Sequence, residues 1–475
     1  MDIGRRSFMG AVAAAGAGLV AKTAFAATTE TIVRPEQFGA KGDGVTNDTD
    51  AFARMSAHVE RQGGGTIELR KTTYLVGRQM PGRPDWAFEP ATIMAFRKLR
   101  RPLVIRGNGA RLKCAPGLRY GSFDPHTSQP ARLPMPNLRE EVRASAYWAM
   151  ITAVDCGAPI EIGDIELDGS LPQLRLGGPY GDTGIQLPGS GIYLRDNRAA
   201  ETVRRVHSHH HGQDGIIIDG DSRRPGRSRF EDVICEYNGR QGVSIVGGRG
   251  YDFLRCKFNH TGKSALFSAP GAGVDIEAEG GKTNRDISFT NCEFSNNTGC
   301  GLVADSGDSA DVRFDGCTFI GTTMWSAWPR KPGFVFRNST FVGTLVHAFS
   351  DADPRRATQF HECRFRDDPR LSPTGEIYYA GKESHFVADL AESRNVLFSR
   401  CSFLLTHKGL LPWSWHALYS DCTMSQAAPA ESYPKGKYLG RNSIRGKVDL
   451  YGSIIVGSLT VNGTPVKGQL GGDPW

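Results

Sequence analysis

The sequence predicts an all-β protein, a right-handed parallel β-helix with a short capping helix at its N-terminal end. Three observations lead to this fold class: a strand motif that recurs along the second half of the chain, a high glycine content, and a glycine-rich segment that precedes an amphipathic stretch. Glycine contributes 58 of 475 residues, about 12% against a usual share of about 7%, so many tight turns are expected.

The first 26 residues have the features of an export signal. Arg5 and Arg6 precede an apolar run over 11–20, and Ala24-Phe25-Ala26 matches a signal-peptidase cleavage site. We therefore predict a twin-arginine signal peptide over 1–26 and a periplasmic or secreted mature protein. No later stretch approaches 18 consecutive apolar residues, so no membrane span is expected after cleavage.

Composition and charge narrow the classes of function only a little. Hydrophobic residues make up 39% and charged residues 23% of the chain, which excludes a disordered or collagen-like protein. Loss of the signal would remove three basic groups and one acidic group and lower the net charge from +7 to +5. This mild positive charge suits an anionic polysaccharide, although solubility explains it equally well.

The recurring motif is an apolar strand followed by Cys-x-aromatic and a turn. The anchors, which are 21 to 38 residues apart with four of the six intervals at 21 to 25, are Cys235, Cys256, Cys292, Cys317, Ser339, Cys363 and Cys401. Aromatic residues follow two positions later, at Tyr237, Phe258, Phe294, Phe319, Phe341, Phe365 and Phe403. Side chains at i and i+2 share one face of a strand, so both columns are expected to point into the core.

A repeat of this length, built from short strands and turns, forms one coil of a parallel β-helix. The crossover rule for parallel strands predicts right-handed coiling. Stacked cysteines on adjacent coils stand about 4.8 Å apart, farther than a relaxed disulfide allows, so few or no disulfides are expected. We place the solenoid and its N-terminal cap in residues 27–426, and the strands that close its far end in 427–475.

The start of the mature chain resembles the pectate-lyase-like superfamily, which includes polygalacturonase-related hydrolases, lyases, epimerases and phage tailspikes. The resemblance rests on Phe38-Gly39-Ala40, Gly42-Asp43-Gly44, Asn47-Asp48-Thr49 and Gly63-Gly64-Gly65-Thr66. Asn47, Asp48 or Thr49 is expected to cap a helix over about 50–61 that covers the open end of the solenoid. The resemblance implies the fold and leaves the reaction open, since members of this fold differ in chemistry.

Candidate catalytic residues come from a second strand that starts at a glycine in each coil. When the strands are aligned on Gly191, Gly215, Gly242, Gly273 and Gly301, positions +2 and +4 face outward. These positions carry four acids that we predict to be catalytic, Asp219, Asp275, Glu277 and Asp305. Residues i and i+2 are about 6.7 Å apart and adjacent coils about 4.8 Å apart, which brackets the carboxyl separations of inverting and retaining glycosidases.

Acids this close repel each other, so either one holds a proton or a cation lies between them. No cofactor is required by this arrangement, and Ca²⁺ is an open alternative. Side chains beside the acids are predicted to bind substrate: Asp214, Arg240, Gln241, His209, Tyr193 and Arg195. A solvated polar face with incidental acids is the alternative interpretation of the same pattern.

Turn motifs separate this chain from the polygalacturonases that it resembles in fold. Their Asp-Asp pair is replaced by Arg240-Gln241, and no Gly-His-Gly occurs. Two coils are similar to mannuronan C5-epimerases, since NGRQGVSIV has Gln241 in place of a histidine and DGIIIDG keeps aspartates at 214 and 219. The segment YGSFDPH echoes a further epimerase motif, but it stands on a different coil.

The cluster His207, His209, His210 and His211 raises the possibility of a metal site. Repeat alignment places Ser208 at the cysteine position and His210 at the buried aromatic position, so we expect no more than two of these imidazoles to converge. We therefore predict no metal site here and favour a structural or substrate-contacting role.

Three functions remain open. The first is an exported glycoside hydrolase that uses a carboxylate pair from the four acids. The second is a polysaccharide lyase or C5-epimerase acting on a uronic-acid polymer, with Arg240 or a cation neutralising the sugar carboxylate and His209 or Tyr193 moving protons. The third is a non-catalytic glycan-binding or matrix protein. In each case the expected partner is a polysaccharide and not a nucleic acid, and the oligomeric state is undetermined.

Overall fold

A computed structural model describes residues 32–83, 86–131, 142–178, 187–223, 225–380 and 385–472. The predicted export signal over 1–26 lies outside these residues. The described chain is an all-β parallel solenoid with one α-helix at its N-terminal end, which confirms the predicted fold class. Within these residues, no helix is both long enough and apolar enough to cross a membrane.

Strands account for most of the regular structure. The first third of the chain contains β1 (Ile32–Val33), β2 (Gly65–Glu68), β3 (Thr73–Val76), β4 (Gln79–Arg83), β5 (Trp86–Pro90), β6 (Met94–Arg97), β7 (Leu103–Cys114), β8 (Arg119–Ser122), β9 (Arg143–Ala144), β10 (Ala149–Val154), β11 (Ile160–Asp168) and β12 (Arg175–Gly177). The middle contains β13 (Ser190–Arg195), β14 (Glu201–His209), β15 (Asp214–Asp219), β16 (Ser228–Glu231), β17 (Ile234–Glu236), β18 (Gln241–Leu254), β19 (Lys257–Asn259), β20 (Ala272–Ile276), β21 (Asn284–Thr290), β22 (Glu293–Ser295), β23 (Leu302–Ala304), β24 (Val312–Asp315), β25 (Thr318–Ile320) and β26 (Ala327–Pro329). The last third contains β27 (Val335–Arg337), β28 (Thr340–Val342), β29 (Leu345–Val346), β30 (Gln359–His361), β31 (Arg364–Arg366), β32 (Ala388–Ser399), β33 (Ser402–Leu405), β34 (Trp413–Ser420), β35 (Thr423–Gln426), β36 (Pro434–Leu439), β37 (Arg441–Arg445), β38 (Ile454–Val461) and β39 (Thr464–Gln469).

Parallel pairing arranges these strands in three faces. Face A runs through β6, β10, β13, β15, the first half of β18, β20, β23, β26 and β29. Face B follows through β16, the second half of β18, β21, β24, β27 and β30, and face C through β17, β19, β22, β25, β28, β31 and β33. The long strands β7, β11 and β14 belong to face B in their first half and to face C in their second.

Each coil turns from face B to face C at a residue with left-handed backbone. The φ angles are +59° at Asp164, +50° at Arg205, +54° at Asp232 and +52° at Arg255, and later coils repeat this corner. A single left-handed residue redirects the chain without a loop. These corners are therefore the shortest in the solenoid, and the longer connections lie on either side of face A.

The N-terminal helix α1 (Thr49–Arg61) covers the first coil with Phe52, Met55 and Val59 buried against the core. Asp48 occupies the N-cap position without a capping side-chain hydrogen bond, and Asn47 Oδ1 just before it accepts a hydrogen bond from the Thr49 backbone N–H at 3.1 Å. The Asp48 carboxylate instead accepts backbone N–H groups of the preceding glycine-rich loop. The prediction of a capping helix is confirmed.

Two aromatic columns form the interior. On face B, parallel ring stacking with centroid separations of 4.5 to 5.4 Å joins Phe253, Phe289, Phe314, Phe336, Phe360, Phe398 and Tyr419. On face C the column runs through Phe258, Phe294, Phe319, Phe341, Phe365 and Phe403. Rings from the two columns meet edge to face, for example Phe314 and Phe319 at 5.6 Å. Such pairs add to the stability gained from burial alone.

The cysteines behave as small interior residues. All ten are free and buried, including the four outside the six predicted to point inward. The Sγ atoms at the corner between faces B and C point at carbonyl groups of the preceding coil, as Cys317 does towards Phe289 O at 3.4 Å and Cys401 towards Phe360 O at 3.3 Å. Ser339 fills the same position and donates to Arg337 O at 2.8 Å.

The first predicted anchor is shifted by two residues. Cys235 pairs in register with Phe258, so it belongs to the aromatic column of face C, and Val233 fills the corner that cysteine occupies in later coils. Tyr237 is only half-buried and lies in the turn with φ +55°. The prediction that Tyr237 points into the core is wrong, because positions two apart both face inward and the pattern fits either register.

Two features frame the solenoid. A side sheet of β4, β5, β8, β9 and β12 lies in the connections from face C to face A of the early coils. At the far end, the parallel pairing continues past residue 426 through β36, β37 and β38, and β39 then pairs antiparallel with β38.

Replacement of Phe314 by alanine tests the role of the stacked columns. The ring is fully buried between Phe289 and Phe336, and its removal leaves a cavity. We expect the free energy of unfolding to fall by about 3 to 5 kcal/mol in denaturant titrations. Leu404→Ala is the matched control, since Leu404 is 48% exposed on face C and should change stability by about 0.5 kcal/mol or less. Equal losses in the two variants would contradict the assignment of the core.

Candidate active site

A groove follows the outer surface of face A across five consecutive strands, β6, β10, β13, β15 and β18. Its volume is about 790 Å³, within the range of small-molecule sites. Aromatic, polar and charged side chains line it, among them Trp148, Tyr193, Arg195, Asp214, Arg240 and Ser244. Strands about 4.8 Å apart give a path of about 19 Å over five coils, so the groove suits an extended ligand.

Strand register explains which side chains meet in the groove. One row runs through Tyr193, Ile217, Ser244, Asp275 and Val303, each paired with the next. The first three line the groove, and Asp275 lies one coil farther along the same row. The groove and the predicted acid Asp275 therefore belong to one continuous surface.

Asp214 and Arg240 form a buried ion pair beside the groove. Arg240 Nη1 is 3.2 Å from Asp214 Oδ2, which also accepts a hydrogen bond from Ser244 Oγ at 2.8 Å. Burial raises the pKa of Asp214, although Arg240 and Ser244 act in the opposite direction. Asp214 Oδ1 and Arg240 Nε are buried without hydrogen-bond partners. Both atoms are enclosed within the pair, so a ligand would reach them only after these side chains move.

Asp275 is a nearly buried carboxyl group that holds its proton at neutral pH. Burial and the neighbouring Glu277 carboxylate raise its pKa to about 8. Gln241 Nε2 donates to Asp275 Oδ2 at 2.7 Å, and Oδ1 has no partner. Glu277 is less buried and accepts a hydrogen bond from Ser306 Oγ. The two carboxyl groups thus differ in environment, which is how one of a pair is held as an acid.

Asp219 belongs to a different network. Its carboxylate is bound by the Lys282 ammonium group and accepts a hydrogen bond from Tyr193 Oη at 3.1 Å, with Arg195 Nε at 3.6 Å. Lys282 also binds Asp196 at 2.7 Å. This carboxylate is already neutralised by cations, so the structure does not group it with Asp275 and Glu277.

A bulge in β18 causes that separation. Asp219 pairs with Gly247 although Ile218 pairs with Ile245, so Val246 is an extra residue in the strand. The predicted row at position +4 is therefore interrupted between Asp219 and Glu277, since a bulge re-aims the side chains beyond it.

Asp305 also lies outside the Asp275–Glu277 pair. It follows the end of β23, is exposed, and lines a second cavity of about 680 Å³ together with Arg330, Lys331 and His347. Its charge still adds to the rise in the Asp275 pKa, less strongly than burial and Glu277, while Arg240 acts in the opposite direction. The four predicted acids thus fall into three locations on face A.

His209 does not line the groove. It projects from the outer side of β14 on face C, where neighbouring side chains cover it to 6% exposure. Tyr193 does line the groove, but burial and the Asp219 carboxylate raise its pKa to about 12. The epimerase-like segment YGSFDPH also lies away from the groove floor, since Asp124 closes a surface turn by accepting the backbone N–H groups of His126 and Thr127.

Several residues that line the groove or bind its side chains are absent from the predicted set. Ser244 occupies the outward +2 position of the repeat, and nothing in its sequence context distinguishes it from other small polar residues. Lys282 follows the Gly280-Gly281 turn after β20, and its position against Asp219 depends on a loop whose path the repeat does not encode. Trp148 precedes β10 in a coil without the cysteine motif.

Groups that could hold a metal ion lie elsewhere. Among the described residues, sets of three histidine or carboxylate side chains with ligand atoms within 4.8 Å of one another occur at Glu166, His207 and His209 and at Asp168, His209 and His210. The Asp275–Glu277 pair is not part of such a set. Each of these sets contains two of the four imidazoles.

Comparison with known proteins agrees with the fold. A family model described as a right-handed β-helix region matches residues 185–347. The N-terminal fragment of bacteriophage phi29 gene product 12 superposes with a TM-score of 0.52 at 14% identity, covering 92% of this chain and 73% of that one. The solenoid is thus a right-handed β-helix, and the predicted handedness is confirmed.

Two solved structures of polysaccharide-acting proteins also match at lower similarity. The Azotobacter vinelandii mannuronan C-5 epimerase AlgE4 A-module gives a TM-score of 0.45 at 14% identity over 90% of this chain and 100% of that one. The Thermotoga maritima exopolygalacturonase gives 0.37 at 14% identity over 92% and 94%. No curated protein sequence matches this chain.

The pH dependence of stability tests the protonated state of Asp275. Between its ordinary pKa of 3.8 and about 8 the unfolded chain loses this proton while the folded chain keeps it. Wild-type stability should therefore fall with rising pH by up to about 1.4 kcal/mol per unit from this group. The amide introduced by Asp275→Asn cannot ionise, so this variant should gain stability relative to wild type between pH 5 and pH 8 in denaturant titrations.

Asp315→Asn is the control for this experiment. Asp315 is an exposed aspartate on face B, far along the chain from the groove strands. Its replacement should leave the difference from wild type nearly constant over the same pH range. A parallel pH dependence in wild type and Asp275→Asn would show that Asp275 ionises normally in the folded protein.

Proposed function

We propose that this protein is an exported polysaccharide-active enzyme that hydrolyses glycosidic bonds on face A. Asp275 is the general acid, and Glu277 is the carboxylate that activates water or attacks the sugar. The observation that carries the proposal is the Asp275 carboxyl group, which is protonated at neutral pH beside a second carboxylate. Glycosidases need this pairing of a proton donor with an ionised partner.

The hydrogen bonds around Asp275 are consistent with a donor role. Oδ2 accepts the Gln241 amide N–H, so the proton is favoured on Oδ1, the atom without a partner. When Oδ1 gives its proton to the leaving oxygen of the substrate, Asp275 becomes a carboxylate. The positive charge of Arg240 stabilises this carboxylate, since Arg240 acts to lower the Asp275 pKa. Glu277 would then act from the more accessible side of the pair.

The groove supports a polymeric substrate. Ser244, on the last of the groove strands, pairs in register with Asp275 on the next coil. A polysaccharide lying along face A would therefore place a glycosidic bond at the boundary between β18 and β20. Trp148 and Tyr193 offer surfaces for the apolar faces of sugar rings.

Elimination or epimerisation of a uronic-acid polymer is the second candidate. Arg97, Arg195 and Arg240 line the groove and are the groups that would contact a sugar carboxylate, although the acids Asp155, Asp214, Asp219 and Glu279 line it as well. The two proton carriers that this reaction was expected to use are less suitable, however. His209 lies on face C, and Tyr193 has a raised pKa, which disfavours the phenolate needed for a base. Hydrolysis is therefore the preferred reaction.

We also propose export by the twin-arginine route, as the N-terminal sequence predicts. Ten free and buried thiols suit a chain that folds in a reducing compartment before it is exported. Protease protection and fractionation of cells that express the full chain would test this, with replacement of Arg5 and Arg6 by lysine expected to retain the protein in the cytoplasm.

Single replacements of the acid pair test the reaction. With a polysaccharide substrate found by screening neutral and acidic polymers, Glu277→Gln and Asp275→Asn should each lower the rate by about 100-fold or more, because each removes a proton-transfer or nucleophilic group. Asp315→Asn on face B should keep wild-type activity. The measurement is release of reducing ends together with ultraviolet absorbance.

The products distinguish the three functions. Reducing ends without ultraviolet absorbance support hydrolysis, and unsaturated products that absorb in the ultraviolet establish a lyase. A protein that binds the polymer but yields neither product is a glycan-binding protein or an epimerase, which proton exchange at C5 separates. Full activity in both acid variants would eliminate the proposed pair.

The pH profile gives an independent test. Because Asp275 must be protonated to act as an acid, the rate should fall as pH rises through about 8. The residual activity of Asp275→Asn should lack this alkaline limb. A profile that is unchanged in the variant would assign the limb to another group.

A further inference from the structure

A compact cluster of histidines and carboxylates lies on face C, away from the groove. Its members come from three consecutive coils, with Glu166 on β11, His207 and His209 on β14 and Glu236 on β17. Glu166 is in register with His207, and His209 is in register with Glu236. The proposed hydrolysis uses none of these side chains.

The ligand atoms of this cluster already converge. His209 Nε2 is 3.1 Å from Glu166 Oε1, and His207 Nε2 is 2.9 Å from Glu236 Oε1. The rings of His207 and His209 lie with centroids 4.2 Å apart and planes tilted by 33°. Ligands in a tetrahedral zinc site stand about 3.3 Å from one another, given Zn–N bonds of about 2.0 Å. Small side-chain rotations would therefore suffice to bring these atoms around one ion.

A second layer of side chains orients His209. Its Nδ1 is 2.7 Å from His210 Nδ1 and 3.8 Å from Asp168 Oδ1. His210 reaches this position because its backbone is left-handed, with φ +55°, so that adjacent side chains converge instead of alternating. When the proton of a neutral His209 is on Nδ1 and is donated to His210, Nε2 carries no proton and its lone pair can bind a metal ion. Outer partners of this kind fix the tautomer of metal-binding histidines.

Charge at the cluster also favours a cation. Three carboxylates, those of Glu166, Asp168 and Glu236, contact the imidazoles. Arg111 binds Asp168 Oδ2 and lies 3.1 Å from Glu166 Oε1, so one guanidinium group offsets part of their charge. Asp168 Oδ1 and the Glu236 carboxylate face the imidazoles and not Arg111. The four charged side chains together retain an excess of negative charge.

We propose that Glu166, His207 and His209, with Glu236 as the fourth ligand, bind a divalent transition-metal ion of the Zn²⁺ class. The ion would join three successive coils on face C. Two imidazoles with carboxylates suit Zn²⁺ and its neighbours, whereas Ca²⁺ prefers oxygen ligands alone. The turn that follows His209 leads directly to Gln213 and Asp214, which line the groove. The site would thus fix the chain that enters the groove floor.

Metal titration of the untagged full chain tests this proposal. After chelation and dialysis, Zn²⁺ should bind with one ion per chain in isothermal titration calorimetry, and it should raise the unfolding temperature. Co²⁺ in its place should give the visible absorption of a tetrahedral site. Excess Ca²⁺ should not displace Zn²⁺. None of these measurements depends on enzymatic activity.

Histidine variants locate the bound ion. His207→Gln and His209→Gln should each weaken Zn²⁺ binding by 10-fold or more, while His361→Gln, a half-buried histidine on face B, should bind like wild type. Because His207 is partly exposed, its variant is expected to fold even if the His209 variant does not. Circular dichroism without metal checks this. No stoichiometric binding by wild type, or equal binding by wild type and His207→Gln, would overturn the proposal.

Discussion

Stacking of inward side chains between coils is the interaction on which the rest of this structure depends. Each coil is too thin to bury its own apolar residues, so Phe289 is covered by Phe253 on one side and by Phe314 on the other. The same contacts fix the strand register, because a slip by one residue would turn every ring to the solvent. Register in turn determines which outward side chains stand together on face A.

Much of the fold could be predicted because the residues that stack between coils recur at the same positions of each sequence repeat. The cysteine and phenylalanine columns were recognised from Cys256 onward, where both elements are present. Prediction failed at the coil of Cys235, where valine takes the corner and cysteine takes the aromatic position. Two inward positions separated by one residue are interchangeable in sequence, and only the neighbouring coil shows which is which.

The candidate site was harder to predict because the alternation rule applies only within an unbroken strand. Asp275 was placed correctly in the outward row with Ser244, since β18 and β20 are regular there. The bulge at Val246 separated Asp219 from the later acids. The left-handed backbone at His210 brought it against His209, although strict alternation would have put them on opposite faces. Gly247 and Gly248 follow the bulge, but glycines begin or end strands throughout this repeat and so do not by themselves mark an extra residue.

Electrostatics then distinguish carboxylates that the sequence treats as equivalent. Asp219 lies beside Lys282 and Arg195, and the positive charges of these side chains offset the negative charge of its carboxylate. Asp275 has an amide partner and a like-charged neighbour, and it lies deeper in the protein, so its neutral form is favoured. The difference depends in part on a loop, which brings Lys282 to Asp219, and in part on strand residues such as Gln241 at the start of β18. A β-helix can therefore keep one scaffold and change its chemistry by altering a connection.

The connection between faces C and A has particular importance for this reason. Residues 210–213 join the imidazole cluster at the end of β14 to Asp214 at the start of β15, and Gln213 in this turn accepts a hydrogen bond from Ser190 Oγ at 2.9 Å. His211 within it is buried and bonded to Tyr147 Oη at 2.8 Å, and burial lowers its pKa to about 3, so it stays neutral. Because hydrogen bonds hold residues 210–213 at His211 and at Gln213, this turn cannot move independently of the groove. Any ligand that rigidifies the cluster on face C would consequently limit the freedom of Asp214 on face A.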